Sequence, residues 1–143
     1  MKYIIAILLA ACTLQVISTV HAEEQRIAIV TGARSGIMSI SAKEVRRVYL
    51  GASVVLNGIE IKPLLNQSDK LAGEVFLQKV LFMSADAYER QLISRSFQGG
   101  SRPKVFENIT DLLAALRNDD AAITFMLHET AINIPGIRII GDL

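Results

Sequence analysis

Apolar and polar positions follow two rhythms in turn along this chain, one with the period of a strand and one with the period of a helix. Residues 26–31 (RIAIVT) form a short β-branched run, which predicts a buried strand, and residues 32–39 carry no period and predict a loop. Ser41-Ala42-Lys43-Glu44 has the spacing of a capping box, with Val45, Val48 and Tyr49 on one helical face behind it and Gly51 to end the helix. Asn57-Gly58 is a turn pair, and residues 60–65 read as a second strand. Ser68-Asp69 opens a helix in which Leu71, Val75, Phe76 and Val80 recur at helical spacing and face inward. Ser84 caps a third helix that runs through Tyr88 and Leu92 to residue 96, and residues 98–103 (QGGSRP) are a loop by composition. Residues 104–106 read as a short strand. Asn108 caps a last helix, with Ile109, Leu112, Leu113 and Leu116 inward and Asp119-Asp120 at its end. Residues 121–126 and 137–140 close the chain as strands. The expected class is α/β, a central sheet flanked by helices on both faces.

The first 22 residues stand apart. Lys2 supplies a positive start, 16 of the 22 residues are apolar, and Val20-His21-Ala22 precedes the polar Glu23-Glu24-Gln25. This is the pattern of a secretory signal peptide, so residues 1–22 are expected to be removed and residues 23–143 to act in the periplasm. Two other readings stay open. Tyr3 to Val20 is just long enough to cross a bilayer, although Thr13, Gln15, Ser18 and Thr19 weigh against an anchor. Leu9-Ala10-Ala11-Cys12 matches a lipoprotein box, which would leave the protein anchored at Cys12.

Composition narrows the function classes. At 143 residues the chain holds one domain, and it has 15 Lys plus Arg against 14 Asp plus Glu. Without Lys2 the two signs are equal. There is no basic surplus for nucleic acid, so none is expected as a partner, and an anion would have to be held by local groups. Cys12 is the only cysteine, so the expected mature domain has no disulfide.

Candidate chemistry is sparse. Thr31-Gly32-Ala33-Arg34-Ser35-Gly36-Ile37 resembles the cofactor turn of short-chain dehydrogenases, but Met38 stands where the last glycine belongs, the helix signal starts only at Ser41, and no Tyr-x-x-x-Lys pair follows. A strand with a flexible loop is the preferred reading. His128 is the only histidine beyond residue 22 and reads, with Glu129, as a surface pair; no Cys or His pair has ligand spacing, so no metal or cofactor is expected. No Gly-x-Ser-x-Gly elbow supports a nucleophile. Two loops could hold an anion. One is Asn66-Gln67-Ser68-Asp69, where amides at a helix start and the Ser68 hydroxyl could face it; plain N-capping is the competing reading. The other is Gly99-Gly100-Ser101-Arg102, where glycines expose amides and Arg102 could grip an oxyanion; a solvated turn is the alternative.

Residues 27–126 resemble the periplasmic phosphate-binding family, the substrate-binding components of phosphate ABC transporters, and its short single-domain members in particular. The residues that carry this are Ile40-Ser41 through Leu50-Gly51, which resemble the family's Leu-Ser-x-x-x-Leu-x-x-Ile-Phe-Leu-Gly helix, then Asn57-Gly58 and Ile61-Lys62-Pro63-Leu64-Leu65-Asn66-Gln67-Ser68. Phe97-Gln98-Gly99, Pro103-Lys104-Val105 and Ala121-Ala122-Ile123-Thr124-Phe125 extend it. The chain departs from the family at Leu92, where a tryptophan is common, at Ala121 and Thr124, where glycines stand, and at Ser68-Asp69-Lys70-Leu71-Ala72, which lacks Ser-Gly-Thr. The resemblance implies a single lobe of a type II substrate-binding-protein-like fold and a non-enzymatic protein. It further implies phosphate or a similar small oxyanion as ligand, at Gln67, Ser68, Asp69, Gly99, Gly100, Ser101 and Arg102, and an ABC transporter or membrane sensor as partner. The departures leave open a ligand-free protein-interaction module.

Overall fold

The apolar run near the start of the expected mature domain becomes β1 (Ile27–Gly32), a strand buried along its whole length. A computed structural model describes residues 24–143. The expected signal segment, with Cys12, lies outside the described residues. After β1 come α1 (Ala42–Tyr49), β2 (Val55–Leu56), β3 (Ile59–Glu60), β4 (Lys62–Asn66), α2 (Lys70–Phe76), a π-helical turn (Leu77–Leu81) and α3 (Ala85–Phe97). The chain then forms β5 (Lys104–Phe106), α4 (Ile109–Asn118), β6 (Ala122–Leu127), α5 (His128–Ala131) and β7 (Ile137–Asp142). Five strands form one sheet in the order β5-β4-β6-β1-β7, and β2 and β3 form a separate hairpin.

The sheet is mixed. β4 pairs parallel with β5 and β6, whereas β1 runs antiparallel to both β6 and β7. Parallel neighbours need a crossover, and the helical segment from α2 to α3 supplies it from β4 to β5, with α4 from β5 to β6. One face of the sheet carries Ile29, Tyr49, Phe76, Leu92 and Phe125, and the other carries Val30, Leu112, Leu116 and Met126. The α/β class with helices on both faces is therefore as expected.

Local chemistry explains most element starts. Ser41 and Glu44 form the reciprocal capping box, with the Ser41 amide donating to Glu44 Oε2 at 2.8 Å. Asn57 and Gly58 both have positive φ, the requirement of a two-residue hairpin turn. Gly51, at φ +91°, ends α1 where an added β-carbon would lie 3.2 Å from Arg95 Nε, while Arg95 donates to the Gly51 carbonyl. Buried polar groups tie the helices to the sheet: Tyr49 Oη and Thr124 Oγ1 both donate to the Leu64 carbonyl, and Tyr88 Oη donates to the Tyr49 carbonyl.

Several expectations need correction. The strand expected over 60–65 is split, because Glu60 belongs to the hairpin and Lys62–Asn66 to the main sheet. Leu71 does not face inward; it is 40% exposed, because the buried arc of α2 is centred on Ala72, Val75 and Phe76, and Leu71 lies at its flank. Ile109 shares a face with Leu112 and Leu116 but, as the first residue of α4, stays 37% exposed. The helix that begins at Lys70 widens into the π turn and ends at Phe82, which has φ +55°.

Candidate functional site

The most site-like hollow is a groove of about 440 Å³ between α2, α3 and the edge strand β5. Its floor is apolar, with Leu65, Phe76, Leu92 and Phe125. Phe76 and Phe125 stack with centroids 3.9 Å apart, and Tyr49 meets Phe76 edge-on at 4.8 Å. This aromatic block is rigid ground beneath the groove. The rim is polar: Gln67, Asp86, Glu89 and Arg102. Among the described residues Arg102 is the only cation in the lining, and its Nη2 is 2.6 Å from Glu89 Oε1. Tyr88 also lines the groove, and burial pushes its phenol well above the usual range.

The groove brings two of the expected site residues together, Gln67 and Arg102. The other five do not line it. At the start of α2, Asp69 is the N-cap and accepts from the Leu71 and Ala72 amides. Ser68 donates both its amide and its hydroxyl to Asn66 Oδ1, and the Gln67 amide donates to the Phe106 carbonyl. In the second loop the Gly99 and Gly100 amides close the end of α3 on the Ser96 and Arg95 carbonyls. Ser101 is exposed. An anion at either loop would have to displace these bonds, and at α2 it would meet the Asp69 carboxylate.

The dehydrogenase-like loop is closed in the same way. The Ser35 amide and hydroxyl bond to the Gly32 and Asp120 carbonyls, and Arg138 donates to the carbonyls of Ser35 and Ile37. An added β-carbon at Gly32 would sit 2.6 Å from the Leu116 carbonyl oxygen, so this glycine serves helix packing. His128 pairs with Asp142, at 3.0 Å, and not with Glu129. Among the described residues no hydroxyl bonds its ring, and no group of three metal-ligating side chains forms. No helix among them is long and apolar enough to cross a membrane.

The groove residues missed from sequence are Asp86, Glu89 and Val105. Asp86 and Glu89 are three apart on α3 and so share a face, which is a visible signal. Nothing local marks the Glu89–Arg102 pair, which joins a helix to a loop.

No family model matches this chain, and no curated protein does. The solved structures that match include the following two. A possible phosphate binding protein from Planctomyces limnophilus aligns with a TM-score of 0.52 and 13% identity, over 81% of this chain and 40% of that one. The chain shares with part of that protein a mixed α/β fold, a central sheet flanked by helices. An ABC-type phosphate transport receptor from Vibrio cholerae aligns with a TM-score of 0.49 and 10% identity, over 81% of this chain and 45% of its own. The chain spans less than half the length of both of these proteins.

Proposed function

We propose that the chain is a non-enzymatic, exported solute-binding-like domain that takes phosphate or a similarly small oxyanion at Arg102, on the rim of the groove, and serves an ABC transporter or a membrane sensor. The observation that supports this reading is that Arg102, the one cation lining the groove among the described residues, shares that lining with Gln67. Its present partner is easily exchanged. Arg102 and Glu89 side chains are 45% and 54% exposed, and an exposed ion pair contributes only about 0–1 kcal/mol. A guanidinium can then grip an oxyanion through two parallel N–H bonds. Asp86 and Glu89 oppose the bound charge, and a single lobe leaves the ligand wet, so the expected dissociation constant is on the order of 10 μM to 1 mM. Phosphate calorimetry tests this with two variants. Glu89→Gln frees Arg102 and should tighten binding severalfold, and Arg102→Ala should abolish it. Equal affinity in all three proteins would reject the reading.

One observation favours a second reading, a protein-interaction module without a small ligand. The Gln67, Ser68, Gly99 and Gly100 amides are all bonded within the protein. Under that reading phosphate would bind none of the three proteins.

A further inference from the structure

We propose that the free edge of β5 is a docking site for an extended segment of a partner protein, in which apolar residues alternate with lysine or arginine. The inference stands apart from the oxyanion reading, because it rests on the strand edge and needs no anion at Arg102.

The first argument is the backbone. β5 ends the five-stranded sheet, and Leu65 is set against Val105 in the parallel register. The Gln67 amide donates to the Phe106 carbonyl, so Phe106 faces β4, and strand alternation turns the Val105 N–H and C=O outward. An outward N–H and C=O at a sheet edge is a template for another strand. The opposite edge is covered: the Ile40 amide donates to the Ile140 carbonyl, and the Arg138 side chain is fastened to the neighbouring loop.

The second argument is shape. Val105 is 46% exposed and borders the apolar groove on the α3 side. On the α4 side lies an open hollow of about 700 Å³, lined by Lys104, Phe106, Glu107 and Asp111 among others. A strand laid along β5 sends alternate side chains to the two faces. The residue beside Val105 reaches the groove above Phe76, Leu92 and Phe125, and its neighbours lie over the hollow.

The third argument is charge. Four carboxylates flank the edge, Asp86 and Glu89 on one side and Glu107 and Asp111 on the other. Two cations stand against them. Arg102 is paired with Glu89, and Lys104 Nζ lies 5.2 Å from the Phe106 ring centroid. The surplus is acidic and suits a basic segment. A second copy of this edge would bring the same four carboxylates face to face, which disfavours self-pairing.

The test titrates an acetylated, amidated hexapeptide of alternating lysine and valine into the ¹⁵N-labelled protein. The expected result is a set of amide shifts centred on Val105, slowed hydrogen exchange at its N–H, and at least tenfold weaker binding of the glutamate–valine analogue. Val105→Pro removes that N–H at a position where an edge strand tolerates proline. It should leave the rest of the spectrum intact and lose the peptide. If Val105→Pro does not fold, the Glu107→Gln/Asp111→Asn double variant, which should bind the lysine peptide at least fivefold more weakly, decides. The proposal is overturned if the peptide leaves the Val105 amide unmoved, if the glutamate analogue binds equally well, if the decisive variant binds like wild type, or if β5 instead pairs two copies of this chain. Arg102→Ala should lose phosphate but, by freeing Glu89, should keep or tighten the lysine peptide, so the two readings fail separately.

Discussion

Phe76→Ala is the perturbation that most directly probes how the core holds the groove. Phe76 is fully buried, stacked on Phe125 with an interplanar angle of 3° and met edge-on by Tyr49. Truncation removes a whole ring from water-free contact and opens a cavity that two rigid aromatic neighbours cannot fill. Such substitutions cost about 3–5 kcal/mol. A single domain has about 5–15 kcal/mol in total, so the variant keeps a fraction of its stability. With a urea slope of about 2 kcal/mol per molar, the midpoint should fall by about 2 M. The chain has no tryptophan, so unfolding is followed by far-UV circular dichroism. Leu71→Ala is the companion measurement. Leu71 lies five positions earlier on the same helix but is 40% exposed, and its truncation should cost less than about 1 kcal/mol. A midpoint loss under about 0.5 M for Phe76→Ala, or equal losses for both variants, would refute this assignment of the buried face.

Three further outcomes are expected. Asp69→Ala removes the bonds to the Leu71 and Ala72 amides and should cost about 1 kcal/mol, read as a lowered melting temperature. The Lys62 ammonium, 2.8 Å from Asp119, holds that carboxyl below its ordinary range, and the Ser41 amide and hydroxyl do the same for Glu44. Carboxyls depressed in this way contribute stability above the unfolded values of about 4 and lose it as pH falls through the folded ones, so Asp119→Asn should flatten the acid loss of melting temperature below about pH 4. Intact-mass measurement on periplasmic extract should give a chain beginning at Glu23; a lipidated species beginning at Cys12 would contradict the proposed export route.

What was legible in the sequence was set by short-range bonding. Ser41 with Glu44, Ser84 with Ala87, and Asn108 with Thr110 and Asp111 are caps that close within three residues, so the pattern alone placed those helix starts. Asn57-Gly58 was legible for the same reason. Strand order was not, because the antiparallel placement of β1 between β6 and β7 depends on partners about a hundred residues away. The roles of Ser68 and Asp69 were undecidable locally. Asn66 is turned by its bond to the Phe125 carbonyl, 59 residues on, and that orientation engages the Ser68 hydroxyl and leaves Asp69 as the cap. Of the proposed site residues Gln67 and Arg102 line the groove, but its apolar floor and the Glu89 partner were not legible, because they arise from how α3 and β5 border one hollow. Leu71 was misplaced because periodicity marks a stripe and not the centre of the buried arc.

The most direct measurement of the central claim is a titration of inorganic phosphate into the ¹⁵N-labelled protein, with sulfate alongside. The expected result is saturable shifts confined to residues 66–70 and 98–104, including the Arg102 side-chain N–H, with a dissociation constant on the order of 10 μM to 1 mM. If millimolar phosphate moves none of these amides, the domain is not an oxyanion-binding lobe.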